Sequence, residues 1–213
     1  MDVPGAAGHR AYFETWEQLE RYMWGSAAVI GLQMMPILGT RPSVERAEAE
    51  PYAAALGRAF QLTNFLRDIA EDLGRGRIYV PLSEWAAFGV DPEQLSHCAR
   101  TGTTTPQVRR AIAFVIARNR SIYSEAAPGI AMLDAPGRQA IRAADVLYSD
   151  ILREIERADY NVFARRARVG RARRLSIAAP LALCGVAGAA RTRAARAGVA
   201  RAAFARAKHS GRA

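Results

Sequence analysis

One stretch constrains this chain more than any other: Gln61-Leu62-Thr63-Asn64-Phe65-Leu66-Arg67-Asp68-Ile69-Ala70-Glu71-Asp72, followed shortly by Gly76-Arg77-Ile78-Tyr79-Val80-Pro81. Its apolar residues Leu62, Phe65, Leu66 and Ile69 recur at helical spacing. Its oxygen-bearing residues do so as well. Gln61, Asn64, Asp68 and Asp72 stand at i, i+3, i+7 and i+11, which returns them to one face of an α-helix. Two carboxylates flanked by two amides suit a hard cation rather than zinc or a thiolate-bound metal. Mg²⁺ takes only one or two protein carboxylates and fills its remaining positions with water and phosphate oxygens. The pattern therefore suggests a diphosphate held through magnesium. An isolated Asp-x-x-x-Asp is more often a solvated face, on which Arg67 and Glu71 would form an i, i+4 pair of little energy.

The rest of the chain reads as helix. Ala, Leu, Arg and Glu dominate and β-branched runs are scarce, which favours an all-α fold. A length of 213 residues is enough for one sizeable core. Helices are expected from Glu14 to about Leu38, capped by Thr15 with Gln18 as its partner, and from about Val44 to Leu73, with a kink near Pro51. A small-residue run, Gly25-Ser26-Ala27-Ala28, lies in the first of these and fits tight packing. Glycines at 74 and 76 end the second. Ile78 to Pro81 is expected to be extended. Short helices follow at Pro81 to Phe88 and from Asp91, then longer ones at Gln107 to Ala126, Pro136 to Ala158 and Arg171 to Ala190. Residues 1 to 10 read as loop. The domain is placed at 1–190 and an Arg/Ala-rich tail at 191–213.

The net charge of +10 is unevenly spread. Residues 164–213 hold thirteen of the 30 basic residues and no acidic one, leaving 17 basic against 20 acidic residues before them. The body is slightly acidic and the C-terminal part strongly basic. That part is either a solvated extension or a segment drawn to anionic lipid or nucleic acid. The first ten residues lack the apolar core of a signal peptide. The longest apolar run, Leu175 to Ala190, contains Pro180 and is shorter than the ~20 residues a membrane span needs. Cys98 and Cys184 form no metal or redox motif, which suits a reduced, cytoplasmic setting. His9, His97 and His209 fit no ligand spacing.

In Tyr22 through Leu38, in Leu56 through Pro81, and in Tyr148, Ile151-Leu152, Ile155-Glu156, Tyr160 and Val162-Phe163-x-Arg165-Arg166, the chain resembles the squalene/phytoene synthase family, and within it the bacterial 15-cis-phytoene synthase type. The resemblance implies an all-helical isoprenoid-synthase fold around a central cavity. It also implies a prenyltransferase that joins two allylic diphosphates head to head through a cyclopropyl diphosphate. In the phytoene branch the substrates are two geranylgeranyl diphosphates, two diphosphates leave, and no NADPH is used. The squalene and dehydrosqualene branch uses farnesyl diphosphate.

On that basis Asp68 and Asp72, with Asn64, are expected to hold Mg²⁺ or Mn²⁺. Gln61, Arg67, Arg77, Tyr79, Tyr148 and Arg165 are expected to bind the substrate diphosphate, and Tyr22 to face the reacting carbons. Phe60, Phe65 and Met34 are candidates for the wall of a prenyl tunnel. The expected partners are a prenyl diphosphate and, through the basic tail, the surface of a membrane; no nucleic acid is expected. One departure stands out. Family members carry a second aspartate-rich helix upstream of the Tyr22 segment, in roughly the first third of the molecule. This chain has no counterpart for it, so exposed apolar surface is expected where those helices would pack. A non-catalytic family member that binds lipid or a partner protein is the alternative reading.

Overall fold

The fold was examined in a computed structural model that describes residues 11–177 and 179. The expected loop at 1–10, most of the last helix, Cys184 and the tail lie outside the described residues. The chain divides after Gly170 into units of 1–170 and 171–213. In the second, residues 171–177 are helical, as expected for the start of that helix.

The first unit is built almost wholly from helices, and their ends are set by local chemistry. Helix α1 (Trp16–Met23) starts at Thr15, whose hydroxyl accepts from the Gln18 amide. The Gln18 side chain reciprocates one residue early, accepting from the Glu14 amide at 2.8 Å rather than from that of Thr15. A π-helical turn, Trp24–Ala28, follows and runs directly into α2 (Val29–Leu38). The expected single helix is thus interrupted at its small-residue run. Such turns are concentrated at functional sites.

Helix α3 (Arg46–Arg67) continues through Pro51 and ends at Asp68, where φ is −104° and ψ 11°. A short helix, α4 (Ile69–Gly74), takes over. The expected helix is therefore broken at the carboxylate. Asp68 still donates its amide to the Asn64 carbonyl at 2.9 Å and receives the Asp72 amide at 2.8 Å. The i, i+4 spacing of Asn64, Asp68 and Asp72 thus survives the break.

Beyond it, Arg77–Ile78 (β2) pairs in parallel with Ala11–Tyr12 (β1), a two-residue contact that ties the entry of α1 to the exit of α4. The remaining helices are α5 (Leu82–Ala87), α6 (Pro92–Thr101), α7 (Pro106–Met132) and α8 (Ala135–Arg157). Asp91 caps α6 through the Gln94 amide at 2.7 Å, and Gly102 ends it at φ +67°. Thr105 caps α7, which passes Ala126 and continues through Pro128.

The core lies between α3 and α7, with α1, α5, α6 and α8 packed round them. Leu19, Leu62, Leu66, Leu95, Ile112 and Ile155 are fully buried there. One polar knot crosses it. Thr63 donates to the Ala59 carbonyl at 2.9 Å, lies 2.8 Å from the Tyr123 hydroxyl, and accepts from Asn119 at 2.9 Å.

Two glycines set how close α3 comes to the first helical hairpin. A Cβ on Gly57 would run into the carbonyl of Ala27, and one on Gly31 into that of Ala53. The small-residue run thus serves backbone-to-backbone packing. Adding a side chain here forces the helices apart, whereas Gly25 has open space around it. Gly57→Val is expected to lower the free energy of unfolding by about 1–3 kcal/mol, and Gly25→Ala to leave it unchanged or raise it by up to about 1 kcal/mol. Urea unfolding followed by circular dichroism measures both; equal effects would contradict the close approach.

Candidate active site

An apolar groove of about 270 Å³ opens between the π-turn and α2 on one side, α3 beneath, and α7 and α8 on the other. Its walls come from Ile30, Met34, Tyr52, Leu56, Phe60, Ile130 and Ile141, with the glycine faces of Gly31, Gly57 and Gly129 between them. Close packing at those glycines leaves a slot with almost no polar group along its length. One end is closed off by an antiparallel bridge between Thr40 and Leu133, reinforced by the Arg41 amide on the Met132 carbonyl at 2.9 Å. Along α3 toward Asp68, Gln61, Asn64 and Tyr148 supply polar groups. The Tyr148 ring stacks on Phe60, with centroids 4.3 Å apart. Met34 and Phe60 thus line a groove as expected. Phe65 instead lies in the core, 5% exposed.

Exposed apolar side chains stand on the groove wall and on the π-turn and α2 that carry it. Trp24, Ile30 and Ile37 are more than half exposed, at 55%, 53% and 75%, and Met34 is 39% exposed. Exposed apolar surface was expected, and part of it lies here, with Tyr12 and Phe114 exposed elsewhere.

At the end of α3, the predicted polar stripe faces inward. Asp72 is 8% exposed, and the side-chain oxygen of Asn64, Oδ1, is buried without a hydrogen-bond partner. A solvated face would bury neither. Asp68 is gripped from two directions. Arg67 donates to it through Nε at 2.8 Å and Nη2 at 2.7 Å, and Arg166 through Nε at 2.6 Å and Nη2 at 2.9 Å. The Arg67–Glu71 pair that a solvated face would carry does not form; Glu71 pairs with Arg75 at 2.6 Å.

Burial alone would raise the pKa of Asp68, but the two guanidiniums outweigh it and hold the carboxyl below its ordinary value. Asp72 moves the opposite way. Burial and the neighbouring Asp68 charge raise it, against weaker opposition from Arg75 and Arg77. Two adjacent carboxylates with divergent affinities for a proton are a frequent mark of a working site.

Tyr79 stacks on Phe65 with centroids 4.0 Å apart and 9° between planes. Its ring shares a small cavity with Asp72 and Arg77. Burial and a hydrogen bond with Tyr22 are among the causes that raise its pKa. Tyr22 packs among Phe13, Phe65 and Tyr79 and is not one of the groove-lining residues. Tyr79 and Tyr148 line different cavities rather than one cluster.

Arg165 is placed in a third cavity beside Glu154, Asn161 and Arg168. Its neighbour Arg166 is the one that reaches Asp68. Both belong to the Val-Phe-x-Arg-Arg segment, and only the irregular chain path after α8 decides between them.

Among the described residues, no group of three or more His, Cys, Asp or Glu could hold a metal ion. Asp68, Asp72 and the unpartnered Oδ1 of Asn64 follow one another at successive helical turns, and two carboxylates with an amide are the oxygen types that suit a magnesium-like cation completed by water and phosphate. Also among the described residues, no helix is long and apolar enough to cross a membrane.

A body built almost wholly from helices, with an apolar slot whose polar groups include Gln61 and Asn64, has the isoprenoid-synthase type of fold. The sequence profile of squalene/phytoene synthases matches residues 2–173. The chain belongs to the squalene/phytoene synthase family. Phytoene synthase 2 of Zea mays is 39% identical over 175 residues, 81% of this chain and 42% of that protein. Phytoene synthase of Daucus carota is 37% identical over 175 residues, 81% of this chain and 43% of that one. The chain therefore spans about two fifths of the length of these relatives. Among solved structures, a dehydrosqualene synthase bound to a ligand superposes with a TM-score of 0.70 at 26% identity, over 83% of this chain and 59% of that one. A squalene synthase from Alicyclobacillus acidocaldarius gives 0.62 at 28% identity, over 70% and 54%.

The opposed carboxylates predict opposite pH behaviour. Asp68, with its pKa below the ordinary 3.8, contributes stability that is fully present above that value and is lost as the pH falls through its lowered pKa. Asp72, raised above 3.8, favours the fold most when protonated, and that contribution is lost as the pH rises through its raised value. At pH 7, Asp68→Asn is therefore expected to lower the unfolding free energy and Asp72→Asn to raise it, as read by urea unfolding. Shifts of the same sign in both variants would contradict the assignment.

Proposed function

We propose that this chain handles an allylic prenyl diphosphate as a prenyltransferase of the phytoene synthase type, joining two geranylgeranyl diphosphates head to head. The observation that carries this reading is an apolar slot lined by Gln61 and Asn64, with the carboxylates of Asp68 and Asp72 one and two helical turns beyond Asn64. A ligand suited to it has a long hydrocarbon and a polyanionic head, and a prenyl diphosphate has both. The 37–39% identity to phytoene synthases supports the geranylgeranyl branch over the farnesyl one.

In this reading the slot sequesters the hydrocarbon and keeps water from an allylic cation formed when diphosphate departs. The stacked faces of Phe60 and Tyr148 present π electrons to that positive charge. Gln61 donates its amide to a phosphate oxygen. Arg67 and Arg77 offer planar forks to the leaving diphosphate, and Tyr79, braced by Tyr22, adds a hydroxyl from the opposite side of α3. Asp68, Asp72 and Asn64 are the residues that would hold Mg²⁺ or Mn²⁺. When bound, such a cation supplies Lewis-acid neutralisation of the departing diphosphate. The thirteen basic residues at 164–213 suit a cytoplasmic protein resting on an anionic membrane, close to greasy substrate and product.

Calorimetry with a geranylgeranyl thiodiphosphate and with inorganic pyrophosphate, both in Mg²⁺, separates the two halves of the site. Met34→Arg places a charge in the slot and is expected to weaken the prenyl ligand by roughly tenfold or more, leaving pyrophosphate unchanged. Asp68→Ala is expected to weaken both. Equal loss of both ligands in Met34→Arg would sink the groove assignment. Tighter binding of the farnesyl analogue than of the geranylgeranyl one would move the chain to the squalene or dehydrosqualene branch. Co-sedimentation with anionic vesicles should fall when residues 191–213 are removed; undiminished binding would count against the membrane setting.

A further inference from the structure

We propose that Arg166 is a latch on the cation site: it closes on Asp68 when no cation is present, and becomes a diphosphate ligand once a cation takes that carboxylate. The inference rests on reading Asp68 as a cation-binding carboxylate.

A carboxylate offers about four lone-pair positions. Each Asp68 oxygen already accepts from two guanidiniums, Oδ1 from Arg67 Nε and Arg166 Nε, and Oδ2 from Arg67 Nη2 and Arg166 Nη2. A cation therefore cannot be added to Asp68; it has to replace a guanidinium. Arg67 sits in the last turn of α3, next to Asp68 in the chain, with its side chain 20% exposed. Arg166 arrives from 98 residues away, and its side chain is 43% exposed. Arg166 is the partner with room to leave.

Its backbone is not free to follow. Asp159 and Tyr160 turn the chain out of α8 through the left-handed region, at φ 55° and 58°. Arg109 holds Asp159 at 2.9 Å, and the Tyr160 amide bonds the Ile155 carbonyl at 2.9 Å. Asn161 donates to the Gly102 carbonyl at 3.1 Å and accepts the Phe163 and Ala164 amides. Val162, Phe163 and Val169 are buried on either side of Arg166. Release is thus a swing of one side chain from a fixed base, and the guanidinium stays within a side chain's length of Asp68.

Charge then decides where it goes. Arg166 faces Asp68 and, at 3.9 Å, Glu71. A cation on Asp68 repels the guanidinium and attracts a diphosphate, so the oxygens newly within reach are those of the phosphate. A planar fork suits them. The latch would make cation and diphosphate binding mutually reinforcing.

The test measures Mn²⁺ binding to the whole chain by electron paramagnetic resonance of free Mn²⁺, and pyrophosphate binding by calorimetry at saturating Mn²⁺. Arg166→Gln is expected to bind Mn²⁺ about tenfold more tightly, because no guanidinium has to be displaced, and pyrophosphate about tenfold more weakly. Arg166→Lys keeps the charge without the fork and should fall between; it also serves if the glutamine variant does not fold. Asp68→Asn should abolish the Mn²⁺ binding that Arg166→Gln tightens. Unchanged or weaker Mn²⁺ binding in both Arg166 variants, with Asp68→Asn still abolishing it, overturns the latch and leaves the cation site standing. Mn²⁺ binding indifferent to Asp68→Asn removes the cation site and the latch with it. Unchanged pyrophosphate affinity in the Arg166 variants overturns the second half of the proposal.

Discussion

The approach of α3 to the first helical hairpin, backbone against backbone at Gly31 and Gly57, is the constraint on which the rest of the molecule depends. With a side chain at either position the helices could not meet on the carbonyls of Ala53 and Ala27. The slot owes its floor and width to that contact, since Ile30, Met34, Leu56 and Phe60 all stand on the elements it joins. The same packing directs Gln61 and Asn64 to the groove while Leu62 and Leu66, on the other face, are fully buried. An α-helix that is apolar on one face and carries oxygen donors on another becomes a site only when a second helix closes over it.

Charge balance shapes the end of the slot as strongly as packing shapes its length. Buried carboxylates are costly unless paired, and Asp68 is paired twice. Asp72, less well compensated, is raised by burial and by Asp68 itself. The unpartnered Oδ1 of Asn64 lies one helical turn before Asp68. Positive charge is thus demanded locally, and in the described structure arginines supply it. That is the arrangement expected of a site that meets a cation and a polyanion together.

Much of this was legible from local chemistry. Thr15 caps the helix that follows it and α6 opens at Asp91, because capping needs only neighbours in the chain. The stripe from Gln61 to Asp72 is legible because periodicity places residues on a face without knowledge of the fold. Long-range features were not. The helix breaks at Asp68, and nothing in the apolar and polar periodicity marks that position. Tyr22 packs into an aromatic cluster with Phe13 and Tyr79 because the β1–β2 pairing brings both there, a contact between chain segments far apart. Arg166, not Arg165, meets Asp68 because Asp159 and Tyr160 reset the chain direction, and no periodicity survives such a turn.

The central claim is that one ligand joins the apolar slot to the carboxylate end of α3. Anomalous diffraction from crystals holding Mn²⁺ and a geranylgeranyl thiodiphosphate addresses it most directly. The account predicts a manganese peak on the oxygens of Asp68 and Asp72 and a hydrocarbon running past Phe60 and Met34. A diphosphate seated instead in the cavity of Arg165 and Arg168, with the slot empty, would contradict it.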